Sequence, residues 1–265
     1  MTAIFMGLSL GLIGGGGSIL TVPILVYLFA INPLIATSLS LFVVGSTALV
    51  GSLLAFRRQE VELKTGIVFA IPSFLGVFLT KTVLLPRIPD QIFSTHGFVL
   101  TKPLLVMGFF AILMLLASLA MIRTKKVKMT SPQQVADQGT KEINFLAVSG
   151  QGLLVGGVTG FVGAGGGFLI VPALVNIVGL NMRKAIGTSL LIIAANSLFG
   201  FSVSLAGGLV VDWQLLFSIL AMSLLGLFVG SFLSKKVSEK KLKSIFGYFV
   251  LIMGAIILLD QIKKL

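Results

Sequence analysis

The chain has 265 residues, 56% hydrophobic and only 11% charged, with a mean hydropathy of +1.11. A water-soluble domain carries about 25% charged residues, so the composition rules out an ordinary soluble protein and predicts a polytopic α-helical membrane protein. The net charge of +12 would suggest nucleic acid in a soluble chain; here the basic residues cluster in short gaps between apolar runs, where they mark membrane topology, so no nucleic-acid partner is expected and the lipid bilayer is.

Apolar segments fall at about 2–13, 18–31, 34–56, 65–85 and 99–122, then at about 143–162, 168–180, 184–206, 213–234 and 243–260. Several approach the roughly 20 residues that span a bilayer. The short alternating segments of an outer-membrane barrel are missing. The first Lys or Arg is Arg57, so no conventional signal peptide is expected. There are no cysteines, which removes disulfides and thiolate metal sites.

The first segments enclose "GLIGGGGSILTVP" (11–23). Glycine costs about 1 kcal/mol relative to alanine inside a helix, so a run of four demands a reason. It recurs as "GFVGAGGGFLIVP" (160–172), where Gly14, Gly16, Gly17 and Pro23 correspond to Gly163, Gly165, Gly166 and Pro172 at one spacing of 149 residues. Asn32 corresponds to Asn181, Ala36 to Ala185 and Ser40 to Ser189. Further on, Gly76 resembles Gly226. The sequence therefore predicts two repeats, 1–122 and 143–265, joined by a basic cytoplasmic linker, 123–142. Repeats of this kind are a signature of pseudo-two-fold transporter folds.

Counting Lys and Arg puts the gaps at 57–64, 123–142, 179–184 and 235–243 inside, and those at 31–33 and 206–212, which have neither, outside. Residues 143–178 must then enter and return as a hairpin bent at "GAGGG". The first hairpin opens outward, so the two repeats are inverted, giving eight to ten membrane segments.

A turn inside the bilayer leaves backbone groups without helical partners and is tolerated only where protein or a watery cavity satisfies them. Glycine lets other groups approach its amides, and amides free at a helix start attract anions. The bends, Gly14, Gly15, Gly16, Gly17 and Ser18 with Gly163, Gly165, Gly166 and Gly167, are therefore candidate oxyanion cradles. The alternative is close helix packing, which one glycine run alone would favour and the paired copy with its proline disfavours. A P-loop is excluded because no lysine precedes Ser18.

After each hairpin comes a hydroxyl-rich stretch, "ATSLSLFVVGSTA" (36–48) and "AIGTSLLIIAANS" (185–197). Thr37, Ser38, Ser40, Thr47, Thr188, Ser189 and Asn196 are candidate anion-path donors; hydrogen bonding within or between helices accounts for them equally well. Asn196, an amide deep in an apolar run, is the best single candidate. All eight acidic residues lie in gaps or at helix ends, which disfavours cation transport and metal sites. Lys81 sits near a helix end and is expected to snorkel. His96, the single histidine, lies in a polar gap, so no catalytic triad can assemble and no enzyme activity is expected. Asp212 before Trp213 reads as a helix cap beside an interfacial anchor.

The paired stretches "GLIGGGGSILTVP" with "NPLIATSLS", and "GFVGAGGGFLIVPALV" with "AIGTSLLIIAANS", resemble the TauE/SafE sulfite exporter family. The resemblance covers nearly the whole chain and implies a multi-pass inner-membrane transporter of small sulfur oxyanions such as sulfite, thiosulfate or organosulfonates, without a cofactor. It also implies that the glycine bends and the Ser, Thr and Asn positions above are its working parts. Gly17-Ser18 facing Gly166-Gly167 makes the two bends chemically unlike. An anion channel and a non-transporting scaffold stay as alternatives, as does a homo-oligomer.

Overall fold

A computed structural model describes Ile4, Gly7 and Leu8, and residues 18–95, 98–123, 145–233 and 239–263. The first glycine run, Gly14 to Gly17, together with His96 and the linker from residue 124 to 144, lies outside the described residues.

Among the described residues the ordered elements are helical, apart from one two-stranded hairpin. A turn over 18–20 leads into α1 (Thr21–Tyr27), followed by α2 (Pro33–Arg57) and α3 (Leu63–Leu79). Helix α3 runs on through a π turn, Thr80–Leu84, to Leu85–Arg87. The strands β1 (Gln91–Thr95) and β2 (Phe98–Thr101) pair antiparallel before α4 (Lys102–Arg123). The second half supplies α5 (Phe145–Val162), α6 (Gly167–Ala173) with a π turn at Leu174–Val178, α7 (Met182–Ala206), α8 (Trp213–Leu233) and α9 (Glu239–Lys263).

Local chemistry sets the boundaries. Asn32 accepts from the Leu34 amide at 3.0 Å and Asn181 from the Lys184 amide at 2.9 Å, so these two residues cap the long helices α2 and α7. Asp212 caps α8 through the Leu215 amide at 3.0 Å. Five helices among the described residues are long and apolar enough to cross a membrane: α2, α3 with its extension, α4, α7 and α8. Two shorter apolar ones, Ser18–Tyr27 and Val148–Val162, belong to the hairpins. Large apolar side chains stand outward at helical spacing, as at Ile67, Ile71 and Leu75 on α3 and Phe217, Leu225 and Phe232 on α8. In water such a surface would aggregate; facing acyl chains it is the expected exterior of a multi-pass membrane protein. The β hairpin is absent from the sequence reading, which treated 86–98 as a polar gap; its Phe, Val, Leu and Thr residues suit a strand pair.

The short arm α1 is largely buried, and both it and α6 reach into the apolar interior. Ile19, Val22 and Leu25 sit in one apolar cluster with α2, α4 and residues of α8 and α9; Ile170 and Leu174 sit in the other with α2, α5 and α7. The helices around them approach through glycine. On α5, Gly152, Gly156 and Gly160 face the backbone carbonyls of Phe69, Ser73 and Val77 on α3, and Gly76 faces that of Leu153. The same contact recurs elsewhere in the chain: Gly226 on α8 faces the carbonyl of Ile4, and Gly7 faces that of Ser223. Leu153 follows Ile4, and Gly156 follows Gly7, by the spacing of the two glycine motifs. At the crossing of α2 and α7, Gly51 lies against Leu190 and Gly200 against Leu41, again a reciprocal pair.

The 58–62 turn clips over the start of α7. The Glu62 amide donates to Thr188 Oγ1 at 2.9 Å, and Lys184 Nζ pairs with Glu62 Oε2 at 3.2 Å. Two gaps that the charge count assigned to one side of the membrane thus meet.

A side chain at Gly156 would enter the backbone of Ser73, whereas Gly108 on α4 has open space around its Cβ position. Gly156→Val is expected to cost at least about 1–3 kcal/mol by overpacking and to depress the melting temperature of the detergent-solubilised protein. Gly108→Ala is expected to leave melting unchanged or raise it, by up to about 1 kcal/mol of helix propensity.

Candidate functional site

The described bend joins α5 to α6. Gly163, Gly165 and Gly166 have φ of +76°, +67° and +68°, a left-handed conformation that side chains resist. The Gly163 amide donates to the Thr159 carbonyl at 2.8 Å, closing α5, and the Gly166 carbonyl accepts from Leu169 at 2.9 Å and Ile170 at 3.1 Å, opening α6 at Gly167. Gly163 to Gly167 are buried. Space is as restrictive as conformation: a Cβ on Gly165 would lie 2.8 Å from Val44 Cγ1 and 3.2 Å from Ser197 Oγ, and one on Gly166 would enter Thr159 Oγ1. The Thr37 carbonyl presses on Gly163 in the same way.

Thr159 on α5 and Ser197 on α7 therefore flank the bend. Both hydroxyls are buried and, among the described residues, have no hydrogen-bond partner. The same holds for Asn196 Oδ1, while Asn196 Nδ2 donates to Ser73 Oγ on α3 at 2.6 Å. A buried polar group without a partner costs about 1–3 kcal/mol. Thr159 and Ser197 stand against one left-handed glycine turn, while Asn196, next to Ser197 in the sequence, is held by Ser73 on α3. The two ends of an amide are assigned from its hydrogen bonds. If the Asn196 amide turns over, the Ser73 hydroxyl donates to Oδ1 and the free Nδ2 becomes a third donor beside the two hydroxyls.

The remaining candidate residues divide by partner. Thr37 donates to the Leu34 carbonyl at 2.8 Å, Thr47 to Val43 at 2.6 Å and Ser189 to Ile186 at 2.8 Å, so these three bond back to their own helices. Thr188 receives the Glu62 amide. Ser40 does more: its hydroxyl reaches both the Thr37 carbonyl at 2.8 Å and the Gly163 carbonyl, tying α2 to the bend. Ser38 accepts from Lys81 Nζ at 3.0 Å. Ser18 is buried at the start of the turn before α1. Gly14 to Gly17 lie outside the described residues.

Sequence reading missed Thr159 and Ser73 and misplaced Lys81. Thr159 is one helical turn before Gly163, and Ser73 has a counterpart in Ser223 at the 150-residue spacing of Gly76 and Gly226, signals available in the sequence. Lys81 was expected to snorkel to the interface; its ammonium instead turns inward to α2.

Comparison with known proteins agrees with this architecture. The family described as "Sulfite exporter TauE/SafE" matches residues 1–257. A probable membrane transporter protein of Xylella fastidiosa (strain 9a5c) is 31% identical over 251 residues, 93% of this chain and 88% of the relative. The probable membrane transporter proteins YunE and YjnA of Bacillus subtilis (strain 168) are 24% and 27% identical, over 95% and 96% of this chain and 93% and 96% of their own. No solved structure matches the chain.

The orphaned hydroxyls give a stability signature. Ser197→Ala removes a polar atom that has no partner, so its melting temperature is expected to equal or exceed that of the unaltered protein. Gly165→Ala forces a side chain into a left-handed, filled position and is expected to cost at least about 1–3 kcal/mol. Thermal melts of the two purified variants in one detergent check the contrast.

Proposed function

Because the chain belongs to the sulfite exporter TauE/SafE family, we propose that it carries small sulfur-containing oxyanions (sulfite, thiosulfate or organosulfonates) across the cytoplasmic membrane by alternating access. In this reading residues 1–122 and 143–265 are inverted halves, the basic linker between them is cytoplasmic, and substrate binds at the glycine bends near mid-membrane.

The observation that carries the proposal is the pair of buried, unpartnered hydroxyls of Thr159 and Ser197 against Gly166 and Gly165 of the bend, with the unpartnered Asn196 Oδ1 on the residue before Ser197. Hydroxyl and amide donors suit an oxyanion, which offers several acceptor oxygens. Neutral donors also suit a carrier, because they bind without holding the ion as tightly as a fixed charge pair would. The acidic residues support the same choice of sign: Glu60, Glu62, Asp90, Asp212 and Asp260 all stand in loops or at element ends, so none projects from mid-span to repel an anion or coordinate a cation. Close packing accounts for Gly76, Gly152 and Gly156, whose Cβ positions fall on a neighbouring backbone. It does not account for the orphaned hydroxyls at the bend, where packing alone would be better served by apolar side chains.

Recurrence of the α3–α5 contact between α8 and the first helical residues supports a two-fold arrangement of the halves. So does the meeting of the 58–62 turn with the start of α7. Each half would then contribute one arm to the other, as alternating access between equivalent states requires.

Proteoliposomes loaded with 35S-labelled sulfite or thiosulfate, or with an alkanesulfonate, test the proposal. Saturable flux accelerated by substrate on the far side is expected. Thr159→Val and Ser197→Ala are each expected to cut flux by about tenfold or more, a loss equal to one charge-assisted hydrogen bond, while melting normally. Absence of saturable flux for all three anions would sink the transport reading. Flux without trans-stimulation would replace the carrier with a channel.

A further inference from the structure

One charged group inside the membrane-spanning helices has no role in the site above. Lys81 lies in the π turn Thr80–Leu84, six residues before the end of the span that runs from Leu63 to Arg87, or about 9 Å along a helix of 1.5 Å rise. A snorkelling lysine would direct its amine to that end. This one directs it across to α2, where Nζ donates to Ser38 Oγ at 3.0 Å. Its stem passes α7, with Cε 4.0 Å from the Cβ position of Gly200, and the adjacent Thr80 packs on Gly157 and Gly160 of α5. The Lys81 side chain thus runs past α7 to place its ammonium on α2. A π turn inserts one residue into the helical ladder and commonly marks a functional position.

Among the described residues Lys81 forms no ion pair; the one salt bridge, Lys184 with Glu62, lies at the opposite end of α3. An ammonium has three donors, and Ser38 takes one. A cation held within a span without a carboxylate is costly and as a rule functional. The bend is close along the chain: Ser38 adjoins Thr37, whose carbonyl presses on Gly163, and Ser40 reaches the Gly163 carbonyl. The repeat breaks at this point. The spacing here is 150 residues, as for Gly76 and Gly226, so Lys81 corresponds to Ser231; at 149 Ser38 corresponds to Gly187, whose Cβ position is filled by the Glu60 carbonyl.

We propose that Lys81 and Ser38 form an anion-binding station, on one side of the bend only, that receives the transported anion before or after the Thr159–Ser197 site. This rests on the anion-transport reading and deepens it by naming the charge of the substrate. One ammonium neutralises one negative charge, so the station takes a monoanion such as an alkanesulfonate or hydrogen sulfite in preference to a dianion such as sulfate.

The test uses methanesulfonate and sulfate as probes on the full-length protein. Methanesulfonate is expected to raise the melting temperature of the unaltered protein and to compete with sulfite flux, sulfate much less so. Lys81→Met and Lys81→Gln are expected to abolish the melting shift and raise KM by about tenfold or more, while Lys81→Arg restores both in part. Ser38→Ala is expected to raise KM in the same direction. A Lys81→Met or Lys81→Gln protein that melts normally, yet keeps the methanesulfonate shift and the KM of the unaltered chain, overturns the station alone. A melting shift that depends on Lys81 without any flux upholds the station and sinks the transport reading. Neither shift nor flux in the unaltered protein sinks both.

Discussion

A peptide chain that turns within an apolar interior must find partners for its own N–H and C=O groups, because no solvent is there to supply them. The rest of this structure follows from how the Gly163–Gly167 bend meets that demand. Its amide side is closed by the Thr159 carbonyl within α5. Its carbonyl side is closed from outside by Ser40 on α2. The contact is possible because Gly163 carries no side chain, so that the Thr37 backbone can rest directly on it. A helix of the first half therefore completes the backbone of the second.

The same economy of side chains governs the scaffold. Between membrane helices the hydrophobic effect gives little drive, since lipid is as apolar as leucine, and association depends on close van der Waals contact. Helices α3 and α5 obtain it by setting glycines against carbonyls at one-turn intervals, Gly152 on Phe69, Gly156 on Ser73 and Gly160 on Val77. Serine and glycine thus have different tasks on the same helix. Gly76 brings the backbones together, while Ser73, one turn earlier, uses its carbonyl for packing and its hydroxyl to hold Asn196. Packing and site share one helical face, which links a shift of α3 against α5 directly to the orientation of the Asn196 amide.

How much of this could be read from sequence depends on the range of the interaction. The long spans, the cap at Asp212 and the turn at "GAGGG" are local: apolar length, Asx chemistry and glycine each act within a few residues, and they appear where composition and spacing put them, while Asn32 and Asn181, read only as matching positions of the repeat, are caps as well. The multi-pass helical fold was legible for the same reason. Among the hydroxyls, Thr37, Thr47 and Ser189 turned back on their own helices, while Ser40 and Ser38 reached other elements, a distinction that spacing along one helix cannot encode. The π turns at 80–84 and 174–178 depend on how neighbouring helices load the ladder, so they left no sequence signal. Lys81 was misjudged because its distance from the helix end permitted snorkelling; the hydroxyl that turns it inward belongs to a helix more than forty residues away.

The agreements and the disagreements between the halves have opposite characters, and that contrast bears on mechanism. Where the halves agree, in the glycine contacts of α3 with α5 and of α8 with the first helical residues, the chain preserves shape. Where they disagree, at Lys81 against Ser231 and Ser38 against Gly187, it places charge on one side. Two states of a carrier built from equivalent halves would otherwise be nearly equal in energy, and an anion would bind either with similar affinity. A ligand shifts such an equilibrium only through a difference in its affinity for the two states. In the proposed carrier a single ammonium, present in one half and replaced by a hydroxyl in the other, supplies that difference while leaving the packing that allows both states intact.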